Sequence, residues 1–120
     1  MKVVFDTNIL IDYLNGIDAA RKEVERCPGA AISIITWMEV TVGSLVGEEL
    51  AVRSFLRRFP CIGVDQVIAE GAVRARRERR VKLPDAIILA TARQQGAVLV
   101  TRNTRDFPPT LPGIRIPYEL

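Results

Sequence analysis

The chain begins with a short apolar run that stops abruptly at an acidic residue. Val3–Phe5 consists of strand-forming residues and predicts a short buried strand. Asp6 ends the run, and Thr7 and Asn8 are both favourable at the start of a helix. Apolar residues then recur at helical spacing as far as Leu14. The pattern predicts that Asp6 lies at the carboxyl end of a strand, where open α/β sheets bind ligands, although a lone Asp there is also a common turn or cap residue.

Further apolar runs and helical patterns alternate along the rest of the chain. The later predicted strands are Ala30–Ile35, Pro60–Val64, Ala97–Val100 and Ile114–Ile116. The later predicted helices are 18–27, 36–44 capped by Thr36, 48–59 with Leu50 on its inner face, 65–82 capped by Asp65, and 84–95. This alternation predicts an α/β domain whose central sheet has about five, mostly parallel strands with helices on both faces.

Composition is consistent with one domain and suggests a charged partner. The chain has 120 residues, of which 48% are hydrophobic, enough for a real core in a single domain spanning residues 1–120. Residues 1–50 carry 4 basic and 8 acidic side chains, whereas residues 51–120 carry 13 basic and 6 acidic ones. Such an asymmetry favours a polyanionic partner.

The residues that the sequence lacks exclude several kinds of site. There is no histidine and there are two cysteines, so neither a Cys/His zinc cluster nor a histidine-dependent catalytic triad is available. We expect Cys27 and Cys61 to be reduced core residues of a cytoplasmic protein without a signal peptide. The weakly charged stretch 28–47 contains several Ser and Thr residues and is expected to be a strand and a helix, not a membrane span.

Four acidic residues are predicted at the edge of the sheet where the strands end. Asp6 follows the first strand, Glu39 lies one turn into the helix after the second, Asp85 starts a helix, and Asp106 follows the fourth strand. Each could singly be a cap, a turn residue or a solvated charge. Together, without a cation, they would repel one another and raise each other's pKa. An all-oxygen set of this kind favours Mg²⁺ or Mn²⁺.

Two acidic residues raise separate questions of burial. Glu39 has the apolar neighbours Trp37, Met38 and Val40, so we expect little solvated surface around its carboxylate. Asp12 follows Asp6 at a spacing that suggests a solvent-facing position on the same helix, and it is a weaker candidate for the site.

Four sequence motifs occur together in the order typical of one family. They are Asp-Thr-Asn-Ile-Leu at 6–10, Glu39 with Gly43, Leu-Pro-Asp-Ala-Ile-Ile-Leu-Ala-Thr-Ala at 83–92, and Thr-Arg-Asn-Thr-Arg-Asp-Phe at 101–107, followed by Ile-Pro-Tyr at 116–118. With these motifs the chain resembles a PIN-domain ribonuclease, and within that group a VapC-type toxin of a toxin–antitoxin pair. The resemblance extends over the whole chain.

The resemblance implies a fold, a site and partners. The fold would be a three-layer α/β/α PIN-like domain, and the activity would be hydrolysis of RNA at a Mg²⁺ or Mn²⁺ site. The acidic residues would be Asp6, Glu39, Asp85 and Asp106, supported by Thr7, Asn8, Thr101 and Asn103, the last at a position where relatives carry Asp or Asn. The partners would be RNA, a VapB-like antitoxin and a second copy of the chain.

Basic residues lie close in sequence to two of these motifs. Arg76, Arg77, Arg80 and Lys82 precede Asp85, and Arg102 and Arg105 lie beside Asp106. They are either a solvated helix end or a rim that binds RNA phosphates without reading sequence.

The alternatives belong to other functional classes. A phospho-accepting receiver domain has a similar length and alternation, but its paired acids and late Lys are missing here. A PIN-like binding module without catalysis is the second alternative. For an antitoxin helix, Leu45, Val46, Leu50 and Phe55 are candidate groove residues, although most could belong to an ordinary core.

Overall fold

The computed structural model describes residues 1–120 and contains six helices and five strands. The strands are β1 (Val3–Phe5), β2 (Ile32–Ser33), β3 (Cys61–Ile62), β4 (Val98–Val100) and β5 (Ile114–Arg115). The helices are α1 (Thr7–Leu14), α2 (Asp18–Arg26), α3 (Ile34–Val42), α4 (Glu49–Leu56), α5 (Gln66–Arg79) and α6 (Leu83–Gln94).

All strand pairs are parallel, as the alternation of the sequence predicts. β4 lies between β1 and β5, and β2 pairs with β3. A parallel bridge from Val4 to Ala31 joins the two groups, and the Phe5 N–H donates to the Ala31 carbonyl at 3.0 Å. The resulting order is β3-β2-β1-β4-β5, with two-residue strands at both edges. This order differs from the 2-1-3-4-5 order of receiver-type folds, so the receiver alternative is wrong.

Side chains of the central strand divide the core into two halves. Val3 and Phe5 pack on one face against α1, α2 and α4, whereas Val4 packs on the other against α5 and α6. Because β1 is buried on both faces, its apolar run is continuous and not alternating. The predicted three layers are therefore present, with the carboxyl ends of the strands at one edge.

The start of α3 differs from its predicted position. The helix begins at Ile34, and the Ser33 hydroxyl caps it by accepting the Ile35 N–H at 3.0 Å. Thr36, the predicted cap, is buried inside the first turn. The second strand is correspondingly shorter than predicted, because Ser33 competes for the backbone amide and starts the helix early.

Two other helices also differ from prediction. Leu50 is 84% exposed on α4, so its predicted inner position is wrong, whereas Phe55 and Leu56 are buried. α5 ends at Arg79, and Arg80 adopts a left-handed conformation with φ of 57°. The helix therefore ends three residues before the predicted end at Lys82.

The burial of the two cysteines differs from prediction, whereas the weakly charged stretch 28–47 forms no membrane span. Both cysteines are free, but Cys61 is exposed and Cys27 is half-buried, so neither is the core residue expected. None of the helices combines the length and the apolar character that crossing a bilayer requires.

Candidate active site

Asp6 lies where β1 ends and α1 begins, as its sequence position predicts. It is 3% exposed, and it caps α1 by accepting the Thr7 N–H at 2.7 Å. Its other oxygen accepts the Thr101 hydroxyl at 2.7 Å and the Asn8 amide at 3.4 Å. No Lys or Arg forms an ion pair with it.

Burial without a cation changes the acidity of Asp6. Desolvation raises its pKa to about 6, although the hydrogen bonds from Thr101 and Thr7 favour the charged form. The charges of Asp85 and Glu39 raise it further. A cation bound at this point would be stabilised by the same charges that now oppose ionisation.

Thr101 connects Asp6 to the segment that follows β4. Its hydroxyl oxygen accepts hydrogen bonds from the Asn8 side-chain amide at 3.3 Å and the Asn103 N–H at 3.0 Å, while the hydroxyl itself donates to Asp6. The Asn103 amide donates to Asp106 at 2.9 Å, and its carbonyl accepts the Asp106 N–H at 3.1 Å. The predicted supporting residues thus form one continuous hydrogen-bond network between two of the predicted acids.

Asp85 lies in the first turn of α6 and is half-buried. Its pKa is raised by desolvation first and then by the charges of Asp106 and Glu39, whereas Lys82 lowers it. The side chain is therefore within electrostatic influence of two other predicted site residues.

Glu39 lies on α3 with its carboxylate exposed, so the prediction of scarce solvated surface is wrong. The reason is that Met38, one of its expected apolar neighbours, is itself exposed, as is Val42 on the same helix. Its Oε1 is 2.7 Å from the Thr7 hydroxyl, which also lies 3.0 Å from that of Thr36. Thr7 thereby links Glu39 to the start of α1.

The four acids share an electric field but do not form a closed cluster. No three of them lie close enough together to constitute a metal-binding group in this conformation. Their chemistry nevertheless fits a hard divalent cation, because the donors are all oxygens and the buried one has no neutralising Lys or Arg.

Asp12 and Arg102 both differ from their predicted roles. Asp12 is 4% exposed and not solvated, because Arg102 donates to it twice, at 2.7 and 3.0 Å. The Tyr118 hydroxyl donates to the same carboxylate at 2.8 Å. Arg102 is thus occupied by a buried carboxylate and is not a free phosphate-binding residue.

The remaining predicted RNA-binding residues are exposed. They form no ion pairs with acids and comprise Arg76, Arg77, Arg80, Lys82 and Arg105. Arg79 belongs to the same basic run, but its Nη2 donates to the Asp106 carbonyl at 3.4 Å while its buried Nε has no partner. The sequence places Arg79 in the basic run of α5 but does not indicate its contact with Asp106.

The predicted groove residues are divided between surface and core. Leu45, Val46 and Leu50 are exposed, but Phe55 is buried and stacks on Tyr13 with ring centroids 4.7 Å apart. Phe55 is therefore a core residue. A shallow cavity of about 200 Å³ between α1, α3 and α4 includes Leu45 in its lining.

Comparison with known proteins gives concordant results in sequence and structure. The PIN domain family model matches residues 3–108. Ribonuclease VapC10 of Mycobacterium tuberculosis is 32% identical over 114 residues, covering 88% of this chain and 86% of that protein.

Solved structures with the same fold include two complexes. A toxin–antitoxin complex from Klebsiella pneumoniae matches with a TM-score of 0.94 and 48% identity, covering 98% of this chain and 99% of its own. The DNA-bound VapBC of Salmonella typhimurium matches with a TM-score of 0.80 and 30% identity over 99% and 98%. With a family model matching most of its length and relatives above 30% identity, this chain belongs to the PIN-domain family, in its VapC-like group.

Proposed function

We propose that this chain is a Mg²⁺- or Mn²⁺-dependent endoribonuclease that acts as the toxin of a toxin–antitoxin pair. The observation that carries the proposal is Asp6, a buried carboxylate at the strand edge with three donors, a raised pKa and no cation of its own. Stable folds seldom keep such a group without use, because burying an uncompensated charge is costly.

The acidic residues would hold the metal and orient the reacting groups. Asp6, Asp85 and Asp106 are the proposed ligands, with Glu39 as a further ligand or as the base that orients water. A bound divalent cation supplies positive charge that activates water and stabilises negative charge on a phosphodiester. Thr101 keeps Asp6 oriented by donating to one oxygen while the Thr7 N–H holds the other.

Exposed cations around α5 would bind the RNA backbone. Arg76, Arg77 and Arg80 pair with no carboxylate, so they are free to contact phosphates near Asp85. Such contacts would position RNA without selecting its sequence. Lys82 and Arg105 belong to the same proposed rim.

The proposed protein partner is a VapB-like antitoxin. The Klebsiella pneumoniae and Salmonella typhimurium structures are, by their descriptions, a toxin–antitoxin complex and a VapBC assembly. An Arg of the partner could form a bidentate pair with the uncompensated acids, and an amphipathic helix could cover the exposed Leu45, Val46 and Leu50. A homodimer is part of the same proposal and is testable by light scattering in solution.

Cleavage of RNA by the purified chain is the decisive experiment. We expect cleavage of a single-stranded RNA with Mg²⁺ or Mn²⁺, none with excess EDTA, and none with Asp85→Asn. Cleavage that continues unchanged in EDTA would show that metal is unnecessary. A well-folded chain that cleaves no RNA under any of these conditions would leave the catalytically silent PIN-like module as the correct alternative.

Toxicity requires a separate experiment in cells. Expression of the chain alone should arrest growth, and co-expression of the protein encoded next to it should restore growth and yield a co-purifying complex. A chain that is harmless when abundant would contradict the toxin role.

A further inference from the structure

Three segments far apart in sequence meet at the buried carboxylate of Asp12. Arg102, which follows β4, donates to both oxygens at 2.7 and 3.0 Å. Tyr118, in the tail after β5, donates its hydroxyl to Oδ2 at 2.8 Å. These contacts join α1, the segment after β4 and the C-terminal tail at one point inside the protein.

Arg102 lies between two residues that contact the candidate acids. Thr101, immediately before it, donates to Asp6 at 2.7 Å, and Asn103, immediately after it, donates to Asp106 at 2.9 Å. A rotation of the backbone at Arg102 would therefore move Asn103 and Asp106 together relative to Thr101 and Asp6. The side chain of Arg102 is the anchor that opposes this rotation.

A backbone contact strengthens the same connection. The Arg102 N–H donates to Asn8 Oδ1 at 3.2 Å, and the Asn8 amide in turn lies 3.4 Å from Asp6. The fixed fork of Arg102 therefore holds its own main chain in register with the start of α1. A lysine, with a point charge and no fork, could not reproduce both contacts to Asp12.

We infer that Asp12, Arg102 and Tyr118 form a positioning unit for the segment 101–106, a role that rests on the proposed ribonuclease function. The unit touches neither RNA nor the reacting atoms. It acts by keeping Thr101 and Asn103 where they orient Asp6 and Asp106. The C-terminal tail is thereby a functional part of the site, through one tyrosine hydroxyl.

Steady-state kinetics with single-stranded RNA separate positioning from RNA binding. Tyr118→Phe removes only the hydroxyl, and we expect it to lower kcat about tenfold with KM changed by less than about twofold. Asp12→Asn should lower kcat about 100-fold, because small displacements of reacting groups are costly. Rates are compared at a temperature where each variant is fully folded.

Matched controls come from equivalent contacts elsewhere. Tyr13→Phe removes a hydroxyl that accepts Arg58 Nη1 at 3.0 Å away from the acids, and it should leave kcat unchanged. Glu23→Gln breaks the other buried pair, in which Arg115 donates twice at 3.0 Å, and it should lower stability far more than kcat.

A second measurement is independent of cleavage. In ¹⁵N–¹H spectra of the full chain, Tyr118→Phe should shift the side-chain amide signals of Asn8 and Asn103, whereas Tyr13→Phe should not. Unchanged amide signals in Tyr118→Phe would overturn the positioning role, even if the wild-type chain proved inactive and the proposed function itself had failed.

The kinetic outcomes that would overturn the inference are also distinct. A rise in KM without a change in kcat would indicate that Arg102 and its partners contribute to RNA binding and not to positioning. An unchanged kcat in both Tyr118→Phe and Asp12→Asn, with lower thermal stability, would reduce the network to ordinary structural support.

Discussion

Asp6 and Asp12 are both buried acids, one capping α1 and the other within it, but their carboxylates have opposite electrostatic environments. Asp12 receives two donors from Arg102 and one from Tyr118, so its charge is balanced within the protein. Asp6 receives only uncharged donors and has a pKa raised to about 6. The fold can supply an Arg to a buried carboxylate, and it does so for Asp12 and Glu23 but not for Asp6. In the proposed function, Asp6 is therefore the carboxylate whose charge a bound cation would balance.

The largest expected effect of this difference between Asp6 and Asp12 is on RNA cleavage. Asp6→Asn keeps the size and cap of the side chain but removes the charge, and we expect cleavage to fall about 1,000-fold or more, because metal-assisted hydrolysis gains several kcal/mol from the bound cation. Initial rates with single-stranded RNA measure it, with circular dichroism to verify folding. A folded Asp6→Asn protein that cleaves RNA at the wild-type rate would remove Asp6 from the site.

The second effect concerns stability at Asp12. Asp12→Asn leaves the partly buried Arg102 without its counter-charge, and we expect unfolding free energy to fall by about 3 kcal/mol in urea. The exposed Asp18, paired with Lys22 at 3.1 Å, provides the control, since Asp18→Asn should change stability by about 0.5 kcal/mol or less. Equal losses of unfolding free energy in the two variants would show that the buried pair contributes no more to stability than the exposed one.

The third effect is also on stability, but replacing Asp6 by Asn is expected to raise the free energy of unfolding, whereas the same change at Asp12 lowers it. Its folded pKa of about 6 lies above the ordinary value of 3.8, so its contribution to stability is present in acid and is lost as pH rises towards 6. The full pKa shift corresponds to about 3 kcal/mol of unfolding free energy. Because Asn accepts weaker hydrogen bonds than a carboxylate, part of this gain is offset. We therefore expect Asp6→Asn to raise the free energy of unfolding by about 2 kcal/mol above pH 7. Urea unfolding in chelator across pH 4 to 7.5 measures the gain, which should vanish near pH 4. A variant less stable than wild type at pH 7.5 would contradict the cost assigned to this charge.

The fourth and smallest effect extends the comparison from acids to cations. Arg102 is already paired, whereas Arg76, Arg77 and Arg80 are not. Replacing these three by Gln should reduce the slope of log affinity for RNA against log salt by about 0.7 for each lost contact. The same change at Arg21 and Lys22, exposed on α2, and at Arg57, exposed just after α4, should leave the slope unaltered. An unaltered slope in the α5 variant would assign that helix end to ordinary solvated surface.

Local patterns in the sequence were sufficient for the framework of the fold. The run Val3–Phe5 followed by Asp6 predicts a strand, a turn and a helix from adjacent residues, and the structure agrees. Errors occurred where two local signals competed, as at Ser33 and Thr36, either of which can cap a helix. The exposure of Leu50 could not be predicted, because the helical spacing fits more than one buried face of α4.

The supporting contacts of the site depend on distant residues, which sequence reasoning cannot bring together. Arg102 and Asp12 are 90 residues apart, and nothing near either of them indicates the other. The neighbours of Arg102 alone therefore predict RNA binding, and the spacing of Asp12 predicts a solvated position. The pairing arises only when β1 and β4 lie side by side in the sheet.

The two-residue strands at the sheet edges affect how the protein behaves when crowded. β3 and β5 leave few unpaired backbone groups, and Pro60 and Pro117 beside them have no N–H to offer. A short edge of this kind is a poor template for strand addition by another chain. Copies of the protein are consequently protected against edge-to-edge aggregation, even though several apolar helix residues remain on its surface.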